Sequence, residues 1–332
     1  MSYRLKPGES VPEGIKRIIV EETDDAVRRL TKDPRSQRDE AIHEARKSIK
    51  KIRGALRLVQ PELGRIYRKE NARLGDIGRK LSELRDAGAI IETFDGVLEK
   101  FKDNLQHNGM AGIRKGLEGS KLEIEKTLDG DKLAKDAART LGAISRRSEK
   151  LPLKADGFSA IARGLESRYR RGRAAMTVVT KDPRPENYHE WRKRVKDHWY
   201  HVRLLESLWT NVMQAHEASL KDLETWLGED HNLVVLRTKL EDEPDKYGGA
   251  QEVQLFLTLA GQYQKDLREK SHSLGERVYE EKPKRFTKNM SALWDAWQSQ
   301  PDSMKEEQKE ERQAAKKKPQ PAAVKAKKKA VA

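Results

Sequence analysis

Apolar residues recur along most of this chain at intervals of three and four. In EGIKRIIVEETDDAVRRL, the residues Ile15, Ile18, Ile19, Ala26, Val27 and Leu30 fall largely on one stripe, the pattern of an amphipathic helix. The segment FSAIARGLESRYRRGRAAM, starting at Phe158, has the same period. Each segment leads to an Asp-Pro-Arg triplet, Asp33-Pro34-Arg35 and Asp182-Pro183-Arg184. Those triplets predict helix starts, with Asp as N-cap and Pro in the first helical position.

The pattern then repeats itself in detail. HEARKSIKKIRGALRL (residues 43–58) returns as HEWRKRVKDHWYHVRL (residues 189–204), an offset of 146 residues without a gap. Between Ile42 and Glu83 the offset gives 12 identities in 42 positions, enough to establish an internal duplication. A period this long makes each copy a helical bundle rather than one turn of a solenoid. Less similar helical pairs follow, 88–107 with 111–149 in the first copy and 250–280 with 284–298 in the second. The fold class expected is all-α: two four-helix bundles related by pseudo-twofold symmetry, spanning 1–157 and 158–301. The tryptophans Trp191, Trp209, Trp226, Trp294 and Trp297 are expected in the bundle cores. Residues 302–332 lose their apolar anchors and carry ten Lys/Arg against five acids, so this Lys/Ala/Pro-rich tail is expected to be disordered.

Composition agrees with long, solvated helices. Of the 332 residues, 37% are charged, 36% hydrophobic and only 6% aromatic. The net charge of +15 changes the picture by pointing to an anionic partner. With no cysteine, disulfides, thiolate metal sites and cysteine nucleophiles are excluded. No apolar run reaches the roughly 20 residues of a membrane span, and the N-terminus lacks a secretory hydrophobic core. A cytoplasmic protein that does not engage membranes is expected; its oligomeric state is not legible.

The duplicated segment also selects a helix face. On a helical wheel His43, Arg46, Lys47, Lys50 and Arg57 share an arc of about 100°, and His189, Arg192, Lys193, Lys196 and Arg203 share the same arc in the second copy. Stacking like charges at three- and four-residue spacing costs a few tenths of a kcal/mol per pair. Glu44 and Glu190 lie off the arc, so an uncompensated cationic stripe is expected. Arg supplies bidentate donors and Lys a compact charge for phosphate, and an imidazole beside dense phosphate gains a proton. A single charged face is usually only solvated; five positions kept in both copies favour a ligand. Secondary candidates are Arg79 and Arg85, the cluster Arg168, Arg171 and Arg173 around Tyr169, His231 in the slot Arg85 holds in the first copy, and Tyr200 at the edge of the basic face.

The twinned His-Glu-x-Arg-Lys-x-x-[Ile/Val]-Lys helix, each copy followed by a Leu-rich helix and an Asp/Asn-containing turn, resembles the CHAD family of histidine-containing α-helical domains. The resemblance spans residues 10–298. It implies two helical bundles around a basic central groove or pore that binds inorganic polyphosphate, and an association with polyphosphate granules. By position, the implied binding residues are the ten on the two arcs together with Arg53, and no cofactor or metal. The copies differ where Lys51, Ile52 and Arg53 give way to Asp197, His198 and Trp199, which implies unequal grips. The triphosphate-tunnel signature Glu-x-Glu-x-Lys of some relatives is absent.

Catalysis has little support in the sequence. The fifth residue of both His-Glu motifs is Lys, so neither is HExxH, and no P-loop or nucleophile elbow occurs. A binding protein, not an enzyme, is expected. The rival reading is non-specific nucleic-acid binding or scaffolding through the basic surface and tail, which would act on charge alone.

Overall fold

The computed structural model describes residues 3–32, 37–104 and 110–300. Its first helix, α1 (Val11–Lys32), buries Val11, Ile15, Ile18, Ile19, Ala26 and Leu30, the stripe expected from the sequence. Next come α2 (Arg38–Leu58), α3 (Gln60–Lys80), α4 (Ser82–Lys100), α5 (Ala111–Thr127) and α6 (Gly130–Ser148). The second half contributes α7 (Gly157–Lys181), α8 (Pro185–Leu204), α9 (Thr210–Asp242), α10 (Ala250–Val278) and α11 (Pro283–Gln298). Among the described residues there is no strand. The candidate tail 302–332 and the Asp33-Pro34 helix start lie outside the described residues.

Two expectations about helix ends are corrected. The stretch 111–149 is two helices, because the Asp129 side chain caps α6 by accepting from the Lys132 amide at 2.9 Å. Helix α8 starts at Pro185, not Pro183. Asp182 instead ends α7 and accepts side-chain hydrogen bonds from Arg184 and Asn187.

The apolar residues gather in two clusters, and both draw on both halves of the sequence. The larger unites α1, α2, α3 and α6 with α7, α8, α11 and the first part of α9. In the smaller, Ile90, Phe94 and Val97 of α4 and Ile113 and Leu117 of α5 pack on Leu233, Leu236 and Leu240 of α9 and on Phe256 of α10. Each fully buried aliphatic side chain contributes roughly 1.5–3 kcal/mol. Trp191, Trp294 and Trp297 are buried and Trp226 packs on the smaller cluster, but Trp209 is 56% exposed at the start of α9, against expectation.

Helices α2 and α8, which carry the repeated segment, meet at Gly54. A Cβ there would stand 2.7 Å from the Tyr3 hydroxyl and 2.8 Å from Tyr200 Cβ, so only glycine admits this approach. The Gly54 carbonyl lies 3.2 Å from His201 Nε2. Gly54 and Tyr200 are one offset apart, so counterparts of the sequence repeat face each other at the crossing.

Candidate anion-binding cleft

On α2 the buried stripe is Ala41, Ile42, Ala45, Ile49, Ile52 and Leu56. His43, Arg46 and Lys50 flank that stripe and are therefore half-buried. On α8, Trp191 and Val195 are buried while His189, Arg192 and Lys196 occupy the corresponding flank. All six line one cleft of about 830 Å³, whose other walls come from α4, α5 and α9. Helix α9 adds His231, whose ring centroid is 4.0 Å from that of His189.

The other sequence candidates lie elsewhere. Lys47 and Lys193 are about half exposed and pair within their own helices with Glu44 and Glu190. Arg57 lies beyond the Gly54 crossing and pairs with buried Asp197 at 3.1 Å, where Arg168 also approaches at 3.7 Å. Arg53 donates to Asn71 Oδ1 at 2.9 Å. Arg203 pairs with Glu217 and covers the rings of Tyr3, Trp199 and Tyr200. Tyr200 is buried at the crossing and packs edge-on against Tyr3, so its ring has protein neighbours where the sequence suggested a stacking surface. Arg173 Nε donates to the Tyr279 carbonyl at 3.0 Å, Arg171 is exposed, and Arg79 is exposed beside Asp76. The Arg85 side chain lies outside the described residues.

The cationic stripe is not uncompensated, and this corrects the expectation. Arg46 Nη2 reaches Asp86 at 3.3 Å. Buried Glu224 of α9 accepts from Arg192 at 3.3 Å, Lys196 at 3.0 Å and Lys221 at 3.1 Å. Burial alone would raise the Glu224 carboxyl, but Lys196, Arg192 and Lys221 hold it down at about 2. Lys50 has no ion pair of this kind among the described residues. Burial, then the charges of Lys196 and Arg46, push it down to about 7. Burial, then His189 and Arg192, push His231 down to about 4, while burial, Lys193 and Arg192 lower His189.

Gly228 makes room for one of these groups. A Cβ there would fall 2.9 Å from Arg192 Nη2. Arg192 Nε and His189 Nδ1 are buried with no hydrogen-bond partner in the protein. Buried polar atoms normally have partners, so these two point to an incoming polar ligand. Among the described residues no group of three His, Asp or Glu side chains is placed to hold a metal ion, and no helix is long and apolar enough to cross a membrane.

No curated protein matches the sequence. Among solved structures, the chain is similar to the CHAD domain from the plant Ricinus communis, with a TM-score of 0.59 and 16% identity over 83% of this chain and 94% of that one. At that identity the likeness shows the fold alone. PptA from Streptomyces chartreusis overlaps 82% of this chain and 98% of its own, with 13% identity and a TM-score of 0.48. The CHAD domain family model matches residues 19–241.

Proposed function

Since the chain belongs to the CHAD domain family, which is linked to polyphosphate binding or metabolism, we propose that it binds inorganic polyphosphate in the α2–α8–α9 cleft without catalysing its turnover. One observation carries the reading: His43, Arg46 and Lys50 share a single cleft with their repeat counterparts His189, Arg192 and Lys196. A linear chain of phosphates laid along the cleft meets cations from both copies. Arg46 and Arg192 supply planar donors, and Lys50 and Lys196 compact charges. His189, His231 and Lys50, all lowered in the empty cleft, take up protons as phosphate approaches, since a neighbouring anion favours the charged form. Association with polyphosphate granules follows from the same cleft, and the Lys-rich tail adds avidity by raising the effective concentration of cations.

Competition binding at near-physiological salt tests this reading. Long-chain polyphosphate is set against single- and double-stranded DNA on the full chain, on a chain ending at residue 300, and on a full-length variant with Arg46, Lys50, Arg192 and Lys196 all changed to Ala. Polyphosphate should outcompete DNA, and the four-residue variant should lose at least about a hundredfold in affinity, about 2.7 kcal/mol. Equal competition by DNA, with the variant binding as before, would leave charge alone as the explanation.

A further inference from the structure

The two copies are unequal at the position facing their cationic pairs. The offset that aligns Arg46 with Arg192 and Lys50 with Lys196 aligns Gly78 with Glu224. In the second copy Glu224 is 6% exposed and bonded to Arg192, Lys196 and Lys221. The corresponding position in the first copy has no side chain, and Ser82, one helical turn further on, lines the cleft. Asp86, which Arg46 Nη2 reaches at 3.3 Å, has its side chain 65% exposed. An exposed pair of that kind is worth little, whereas a buried carboxylate bound by three cations holds its place.

Resting on the polyphosphate reading, we infer that Glu224 is a tethered counter-anion that occupies the second half of the anion site and must be displaced, or shared with phosphate, when the ligand binds. Arg46 and Lys50 then form the primary grip. Arg192 and Lys196 form a latched one, engaged only by an anion able to outcompete a carboxylate that never leaves. Ambient small anions make too few contacts to do so. A phosphate polymer anchored on the first half arrives at the second at high effective concentration. The latch also alters the salt response. Cations already neutralised by Glu224 hold fewer solution anions, so binding releases fewer of them.

Two variants test the inference, each titrated with long-chain polyphosphate across a salt series, with thermal unfolding as the check on folding. Glu224→Gln should tighten binding about tenfold, ~1.4 kcal/mol. Its plot of log affinity against log salt should steepen by about one unit, for the one cation equivalent no longer neutralised internally. Gly78→Glu installs the latch in the first copy, where the nearest outside atom to a new Cβ would be Ile49 Cγ2 at 3.7 Å. It should weaken binding about tenfold and flatten the slope. This second variant carries the test if Glu224→Gln fails to fold. Unchanged or weaker binding by a folded Glu224→Gln, or unchanged binding by Gly78→Glu, overturns the latch. The parent reading falls on different evidence, namely a four-alanine variant that binds as well as the natural chain.

Discussion

Lys50 is the residue on which the chemistry of the cleft turns. Burial, then the charges of Lys196 and Arg46 and a smaller push from Arg192, opposed by Glu224, together bring it to about 7. A polyanion favours the ammonium, so the bound pKa lies above the free one and binding takes up a proton. Affinity should therefore be greatest below pH 7 and fall by about tenfold as pH rises from 7 towards the ordinary lysine range. Calorimetry in buffers of different ionisation enthalpy would register the proton uptake, and Lys50→Arg, charged throughout, should abolish the dependence. His189 and His231, both depressed when free, add uptake in the same direction below about pH 6.5. Gly228→Ala should displace the Arg192 guanidinium and weaken polyphosphate binding several-fold with little loss of thermal stability, by titration and melting on one sample. Six cleft residues were legible in the sequence because duplication marks what both copies keep. Glu224 was invisible for the same reason: its counterpart is Gly78, so comparing the copies selects against it.

At the level of helices, the wheel placed Arg57, Arg203 and Tyr200 with the binding cations, since angle on one helix is all that a periodic sequence reports. The close approach at Gly54 divides that face. His43, Arg46 and Lys50, before it, open into the cleft; Arg57 and Tyr200, at or beyond it, turn towards neighbouring helices. Gly54→Leu should therefore force α2 and α8 apart, costing about 1–3 kcal/mol of stability in a denaturant titration and lowering polyphosphate affinity together with it. Asp197 shows what the second copy gained when it departed from Lys51. Its buried carboxylate gathers Arg57 of α2, Arg168 of α7 and Arg194 of α8. Asp197→Ala leaves those cations facing one another and should cost about 3–5 kcal/mol. Helix existence was readable from apolar period; the break at Asp129 also had a local signal, in Leu-Asp-Gly-Asp, that the longer period obscured.

Across the whole molecule, acid should be the weak point. His198, His201 and His216 are depressed, chiefly by burial, His201 to about 3 and His216 to about 4. The unfolded chain binds these protons below about pH 6.5 and the folded chain does not, so stability is full above that pH and is lost as it falls. Each such histidine removes about 2 kcal/mol between pH 6.5 and 5, and a denaturant series over that range should show the midpoint dropping. His198→Phe should flatten the trend, because the ring already sits among Tyr169, Tyr279 and Phe286. The 33-residue α9 bears on a different question. Met213, Leu220, Leu223 and Leu227 belong to the larger apolar cluster, while Leu233, Leu236 and Leu240 belong to the smaller, where α4 and α5 of the first half find their cover. A gene doubled in this way is no longer two genes. Expressing either half alone would strand an apolar flank whose complement is encoded by the other, so a designer seeking a minimal version must redraw the helices rather than cut at the repeat.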